Sequence, residues 1–462
     1  MFKKVKLKLD RFRSDDFVRG AGVLAGGTIV GRFIGFLFLP LITRFYSPED
    51  YSALAFYLGL LTIFGAISSL RFEIAIPVPA DDSKAINLLL LATASALTIT
   101  TLLFFVAKLA SSGFFGDLAP PRFEPYWFML PLGVLFFALY SILQYWSARR
   151  KQFRSIAITR ITQSLIGGST ASILGLFSVA PFGLFLGNML NTSAGMYRLA
   201  REFISADRQL IKNVKLRDVY KTAIEFRRYP LFSTVESLAN AAGSQLPLVI
   251  IASIAVGGDS GSLLLASQVM LAPMSLIGMS ISKVYLVKGA ESYRNNELKE
   301  LTMNVQLKLV KLGVGPIILI GSAAPMFFPI LFGSRWERAG VFISWMTPWV
   351  VLQFLSSPVS SCFHLAERQK AAMGLQIGGF VLRVGSILVA AFFLGGLQAE
   401  SFIFSSFIFY LIFLIAEYSI LNISFSDFLK IIRKSSLYVL PYVLIALLIN
   451  SYSFLCSFSN RV

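Results

Sequence analysis

The sequence predicts an all-α protein that crosses a membrane many times, and three observations lead to this fold class. Of the 462 residues, 56% are hydrophobic and only 14% are charged, and the mean hydropathy is +0.71. A soluble domain carries about 25% charged residues, so this much apolar surface indicates lipid as the solvent. Apolar stretches of about 20 residues, long enough to cross a bilayer core, recur along the chain. Lysine and arginine gather in alternate connections between these stretches.

Each apolar stretch is predicted to be one transmembrane helix, with about thirteen in total (12–14). The predicted spans are 20–42, 51–70, 85–107, 126–147, 156–178, 181–199, 230–255, 262–286, 309–331, 339–362, 372–394, 401–421 and 437–456.

The distribution of positive charge predicts the orientation of these spans. Of 42 lysines and arginines, 32 lie in the N-terminal segment and every second connection, whereas the other connections hold 6. This positive-inside bias places the N-terminus in the cytoplasm and, with thirteen spans, the C-terminus outside. The net charge of +18 therefore reflects topology, and no nucleic-acid partner is expected. The basic run 3–8 precedes a span without a cleavage-site pattern, so this span is predicted to be retained.

The chain divides at the basic connection 198–229, its only sizeable polar stretch. We predict an N-terminal lobe (1–197), a cytoplasmic basic linker (198–229), a C-terminal lobe (230–421) and an extra C-terminal span (422–462). The linker reads as an amphipathic helix with apolar positions such as Phe203 and Leu210. Two interpretations are open: a charged linker held by anionic lipid, or a contact with a partner enzyme.

A lone arginine lies near the middle of two apolar spans, Arg32 in the first and Arg383 in the eleventh. A charge at the bilayer centre costs about 2.5–3.5 kcal/mol on insertion scales, and it is tolerated where it faces a wet cavity or a partner. No carboxylate lies near either arginine within its span, so the two predict a cavity for an anion. The alternative is an arginine satisfied by backbone carbonyls of a neighbouring helix.

Arg32 lies beside a repeat of small residues, Gly27, Gly31 and Gly35. This spacing lets two helices approach closely. One face of the span can then pack while the adjacent face presents the guanidinium.

Further polar groups fall on the cytoplasmic halves of spans. Arg160 lies about one turn into the fifth span and Lys311 begins the ninth, so both are predicted to attract a phosphorylated ligand. Snorkelling anchors are the alternative for such residues.

Glu236, about two turns inside the seventh span, is the candidate for coupling to a proton or cation, with an ion pair as the alternative. Tyr140, Tyr145, Trp146 and Trp349 could stack on sugars, although aromatic belts are common at these depths.

Several sequence motifs resemble one known family. The segments RFYSPEDY (44–51) and SLRFEIAI (69–76) closely resemble the start of bacterial polysaccharide-repeat flippases, the Wzx-type O-antigen translocases. Three later stretches are similar to that family in the same order: 227–250, 272–286 and 331–361. The family belongs to the multidrug/oligosaccharidyl-lipid/polysaccharide exporter superfamily.

The resemblance implies two six-helix lobes around a central cavity that opens alternately to each side. It implies a short oligosaccharide on undecaprenyl diphosphate as cargo, moved from the cytoplasmic to the periplasmic leaflet of the bacterial inner membrane. Positive residues in the first and eleventh spans are typical of such cavities, and Arg32 and Arg383 match them. The implied partners are the lipid-linked oligosaccharide, membrane lipid, a polysaccharide polymerase and a chain-length regulator. One departure is the span count, since the family usually shows 12 or 14.

Three other classes of protein share some of these features. A multidrug or small-molecule exporter has the same architecture, but it handles cations and would place acids at the cavity centre. A polysaccharide polymerase or ligase needs a sizeable outer loop with catalytic residues, and the longest outer loop, 108–125, has no such cluster. A membrane scaffold explains neither arginine.

We therefore predict a transporter and not an enzyme, with no catalytic residues and no cofactor. The single histidine, His364, excludes a multi-histidine metal site. The absence of a G-x-x-x-x-G-K-[ST] loop predicts coupling to an ion gradient instead of ATP. O-antigen, capsule and exopolysaccharide all stay open as destinations of the sugar.

Overall fold

A computed structural model describes residues 16–114, 119–212, 214–255 and 257–459, and within these ranges every regular element is helical. The predicted all-α fold is confirmed. The N-terminal basic run 3–8 lies outside the described residues. The chain forms two compact units, Met1–Tyr46 with Ala53–Val249 and Ser47–Ser52 with Ile250–Val462.

The first ten helices belong mainly to the first unit. They are α1 (Asp16–Phe45), α2 (Pro48–Ile67), α3 (Phe72–Ala75), α4 (Asp82–Ser111), α5 (Met129–Arg149), α6 (Phe153–Leu176), α7 (Phe182–Ser193), α8 (Met196–Lys212), α9 (Leu216–Glu225) and α10 (Thr234–Ile254). A 3-10 turn (Glu124–Tyr126) precedes α5, and a π-helical turn (Tyr229–Ser233) precedes α10. Within this unit α1 packs on α6, α6 on α7, and α4 on α5.

The second unit contains the remaining helices. They are α11 (Asp259–Arg294), α12 (Leu298–Leu309), α13 (Gly315–Phe332), α14 (Glu337–Ser356), α15 (Cys362–Leu365), α16 (Gln369–Phe393), α17 (Gln398–Ile420) and α18 (Phe425–Ser459). A π-helical turn (Val310–Val314) joins α12 to α13, and 3-10 turns lie at Ser334–Trp336 and Ser357–Val359. Here α14 packs on α11, α13 and α17, and α17 also packs on α16.

Among the described residues, 10 helical segments are long and apolar enough to cross a membrane. They coincide with ten of the predicted spans. The other three predicted spans fall on α6, on α7 with α8, and on α11. Helix α6 carries Arg160 and Gln163, which make it less apolar.

The predicted span 181–199 is wrong as a single helix. Helix α7 has only 12 residues, which is about 18 Å at the helical rise, shorter than a bilayer core of about 30 Å. The chain then turns at Gly195, whose φ of 92° favours glycine, before α8 begins at Met196.

The SPED motif folds as a helix cap. The Ser47 N–H donates to Asp50 Oδ2 at 2.9 Å, and the Asp50 N–H donates to Ser47 Oγ at 3.3 Å, so two free donors at the start of α2 are satisfied. The next residue, Tyr51, packs edge-on against Trp336 with ring centroids 4.7 Å apart. Two of the family-like segments therefore meet in the second unit.

The glycine repeat of α1 packs directly on α6. A Cβ on Gly27 would lie 2.6 Å from the Ala157 Cβ, and one on Gly31 would lie 2.7 Å from the Arg160 carbonyl oxygen. No side chain fits at these distances without a shift of the neighbouring helix. The predicted close approach of two helices is confirmed.

We expect Gly31→Ala to lower the stability of the protein, because its new methyl group would press on the α6 backbone. Overpacking of this kind costs about 1–3 kcal/mol. The matched control is Gly26→Ala on the same helix, since a Cβ there would meet nothing within 4 Å. Thermal unfolding of the purified variants in detergent measures the difference. Equal melting temperatures for the two variants would contradict the tight α1–α6 contact.

Candidate functional site

Arg32 and Arg160 lie at the same level of the α1–α6 pair in the first unit. Gly31 approaches the Arg160 backbone, and the next residue, Arg32, is exposed on an adjacent face of α1. The packed face of α1 is therefore separate from the face that carries the guanidinium, as the sequence predicts.

Neutral groups hold the Arg160 side chain between α5 and α6. Its Nη2 donates to Gln144 Oε1 at 3.0 Å, and its guanidinium lies 5.5 Å from the centroid of the Tyr140 ring. The Tyr140 hydroxyl shares a hydrogen bond of 2.8 Å with Thr159 Oγ1. These contacts fix the position of the arginine without cancelling its charge.

Arg383 is half-buried on α16 in the second unit. Its Nε donates to the Gly379 carbonyl of its own helix at 3.0 Å, and its guanidinium lies 4.6 Å from the centroid of the Phe409 ring on α17. A guanidinium has five N–H donors, so one intrahelical bond uses a small part of its capacity.

Lys311 lies in the π-helical turn between α12 and α13. Its Nζ is 4.5 Å from the centroid of the Tyr438 ring on α18. Lys311 therefore contacts the last helix, whereas Arg383 contacts α17.

The cations within the helices differ from those at the helix ends. Among the described residues, Arg160, Lys311 and Arg383 have an aromatic ring beside the charge and no carboxylate partner. By contrast, Arg149, Arg150 and Arg338 each form ion pairs with acids. A ring attracts a cation through its π face but carries no net charge. The inner cations therefore keep a positive charge that an anion can use.

The acidic residues near the spans have three different environments. Glu236 lies in the first turn of α10 and is exposed. Glu73, outside the spans, is buried, accepts a hydrogen bond from Ser69 Oγ at 2.5 Å and lies 3.5 Å from Arg71 Nη1. Burial raises the pKa of the Glu73 carboxyl, against the opposing effects of that hydrogen bond and of Arg71. Glu417 is completely buried on α17.

Three of the aromatic residues considered for sugar stacking are core residues instead. Tyr140, Trp146 and Trp349 are at most 4% exposed, so in this structure they do not present a surface for sugar stacking. The Trp146 Nε1 donates to Asp207 Oδ2 at 2.9 Å, which ties α5 to α8. Tyr145 is half-buried.

Comparisons with known proteins give one family and one fold. Residues 17–286 match the family described as "Polysaccharide biosynthesis protein". Stage V sporulation protein B of Bacillus subtilis (strain 168) is 23% identical over 413 residues, which cover 81% of this chain and 78% of that protein.

Two solved structures are similar to the whole chain. The lipid II flippase MurJ, in an inward closed conformation, has a TM-score of 0.65 at 17% identity, covering 95% of this chain and 98% of that one. A multidrug resistance MATE family transporter, inward-facing, has a TM-score of 0.64 at 12% identity, covering 86% and 98%. The chain therefore shares its fold with these two proteins.

Proposed function

The chain belongs to the polysaccharide biosynthesis protein family, and from this premise we propose that it is a flippase for lipid-linked oligosaccharides. The proposed cargo is an oligosaccharide repeat unit on undecaprenyl diphosphate, moved from the cytoplasmic to the periplasmic leaflet of the bacterial inner membrane. The similarity of its fold to a lipid II flippase and to a multidrug resistance transporter supports a membrane transporter. The predicted lobes, 1–197 and 230–421, would open the cargo path alternately to each side.

The chemistry of this cargo explains why cations inside the membrane would be useful. A sugar headgroup with a diphosphate is polar and negatively charged, and its transfer through hydrocarbon costs many kcal/mol. A hydrated, positively charged path lowers that cost while the polyprenyl chain stays in lipid. Arginine suits a diphosphate because its planar fork can donate two parallel hydrogen bonds.

The observation that carries the proposal is the environment of Arg383. It is a half-buried cation on an apolar helix, held by Phe409 and one backbone carbonyl, without a carboxylate partner among the described residues. We propose that Arg383 and Arg32 contact the diphosphate, with Arg160 and Lys311 contributing positive potential along the path. Glu236 is a coupling candidate from the sequence alone, and this role stays a prediction.

Purified protein in liposomes tests this function directly. We expect it to move a fluorescent undecaprenyl-diphosphate-linked oligosaccharide between leaflets without nucleotide and without lengthening the sugar. The control substrate is a lipophilic cationic dye, which a multidrug exporter would move. Transport of the dye without flipping of the lipid-linked sugar would support the exporter alternative. A lengthened sugar product would support a polymerase.

The cytoplasmic orientation predicted for the basic linker can be tested by cysteine labelling in living cells. Leu216, at the start of α9, is 90% exposed, so a cysteine there is accessible to reagents on its side of the membrane. In a background without Cys362 and Cys456, we expect Leu216→Cys to react with a membrane-impermeant reagent only after the cells are opened. Reaction in intact cells would contradict the cytoplasmic placement of the linker.

A further inference from the structure

One acidic residue in the second unit is fully buried and has no hydrogen-bond donor among the described residues. Glu417 lies in the last turn of α17 and has a relative exposure of 0%. Both of its carboxyl oxygens lack a hydrogen-bond partner among the described residues. Other buried acids of this chain are satisfied: Glu73 by Ser69, and Asp207 by Trp146 and Arg150.

Polar side chains lie close to Glu417, but their hydrogen bonds are directed elsewhere. Tyr285 of α11, Cys362 of α15 and the adjacent Tyr418 are within electrostatic range of its carboxyl group. The Tyr285 hydroxyl is bonded to Thr302 Oγ1 at 2.7 Å, and the Tyr418 hydroxyl donates to Gln306 Oε1 at 2.9 Å. The Gln306 Nε2 is itself buried without a partner. This cluster is polar and incompletely satisfied.

No cation neutralises the carboxyl group in the described part of the chain. Arg383 of α16 stacks on Phe409, which is eight residues before Glu417 and thus about 12 Å away along the helix. Arg368 and Lys370 at the start of α16, Lys288 of α11 and His364 of α15 are exposed. Lys299 of α12 donates to the Asn422 carbonyl at 2.9 Å and pairs with Asp427 of α18 at 2.8 Å. Glu337 and Arg338 lie at the start of α14. Arg338 pairs there with Glu400 in the first turn of α17, whereas Glu417 lies in the last turn of that helix.

These surroundings determine the charge state of Glu417. A buried carboxylate without a donor or a cation costs several kcal/mol, so such a group takes up a proton and becomes neutral. If water reached the last turn of α17, the ionised form would regain its hydration and the proton would leave. The charge of Glu417 is therefore linked to whether this part of the second unit is closed or hydrated.

We propose that Glu417 is a proton-binding site that couples transport to a proton gradient. Its carboxyl group binds one proton while the cluster around Tyr285, Cys362 and Tyr418 is closed, as in this structure. It releases that proton to water when the cluster opens. This role rests on the proposed transport function, and it assigns the coupling to Glu417 instead of the sequence candidate Glu236.

Infrared spectroscopy of the purified protein tests proton binding without any transport assay. We expect a carbonyl band of protonated carboxyl groups at neutral pH in the wild-type protein, and a weaker band in Glu417→Gln. The matched control is Glu400→Gln, on the same helix but ion-paired with Arg338, which should leave the band unchanged. A wild-type spectrum without the band, or a band of undiminished intensity in Glu417→Gln, would overturn the proposal.

Transport in liposomes tests the coupling. An imposed proton gradient should accelerate flipping by the wild-type protein, Glu236→Gln and Glu400→Gln. Glu417→Gln should keep its flipping without a gradient but lose the acceleration, and Glu417→Asp should retain it because an acid remains. An undiminished acceleration in Glu417→Gln, or its loss in Glu236→Gln alone, would overturn the coupling role. If the wild-type protein did not flip the lipid-linked sugar at all, the proposed function would fail, whereas the infrared result would still decide the proton site.

Discussion

Arg383→Ala is expected to abolish polysaccharide export at normal protein levels. Hydrogen bonds to a charged group contribute about 1.5–3 kcal/mol each, so loss of the guanidinium should weaken diphosphate binding by up to about 100-fold. Arg383→Lys should be intermediate, because the charge remains while the fork with its two parallel donors is lost. The stacking on Phe409 positions this fork, so Phe409→Leu should have a milder effect in the same direction.

Complementation of a strain that lacks the gene measures this effect as surface polysaccharide, with the protein level checked by immunoblot. The control is Arg335→Ala, which removes an exposed arginine in the 3-10 turn before α14. Export by Arg383→Ala equal to that of the control would contradict a role of this arginine in cargo recognition.

Asp207→Ala is expected to destabilise the first unit by releasing α8 from α5. Asp207 accepts hydrogen bonds from Trp146 Nε1 at 2.9 Å and from Arg150 Nη2 at 2.6 Å, and so fastens α8 to the end of α5. Its loss would leave the Trp146 Nε1 without an acceptor and Arg150 with Asp82 as its remaining partner at 3.0 Å. A buried donor left without a partner costs about 1–3 kcal/mol. Further bonds join α9 to α4, including Lys84 with Glu225 at 2.8 Å.

Hydrogen exchange of α8 and the apparent melting temperature measure this loss. The control is Asp218→Ala, which removes an exposed acid of α9 whose carboxylate takes part in none of these bonds. Equal melting temperatures and equal hydrogen exchange of α8 in the two variants would contradict the claim that the hydrogen bonds of Asp207 hold α8 against α5.

The sequence predicts most of the helices and singles out the inner arginines, for physical reasons. An apolar run of about 20 residues has few alternatives to a membrane helix, and a single arginine in such a run is conspicuous because it is costly. The close packing at Gly27 and Gly31 also follows from local spacing. The sequence does not predict the interruption between α7 and α8 at Gly195, because the apolar composition continues through it. Only the backbone conformation of Gly195 reveals the turn.

Contacts between distant residues explain what the sequence could not predict. Gln144 as the partner of Arg160, and Phe409 as the ring beside Arg383, depend on which helices become neighbours. Glu417 lies near the end of a predicted span, but its burial without a hydrogen-bond donor results from packing among α11, α12, α15 and α17. Tyr140, Trp146 and Trp349 looked like ligand-facing aromatics, whereas helix packing buries them.

The central claim is that arginines within the spans recognise a diphosphate, and equilibrium binding tests it most directly. Purified wild-type protein and an Arg32→Gln, Arg383→Gln double variant would be titrated with an undecaprenyl-diphosphate-linked oligosaccharide and with the same glycolipid lacking the diphosphate. The account predicts that the wild-type protein prefers the diphosphate form and that the double variant loses this preference while keeping its fold. Equal binding of the two lipids by the wild-type protein, or an unchanged preference in the double variant, would contradict it.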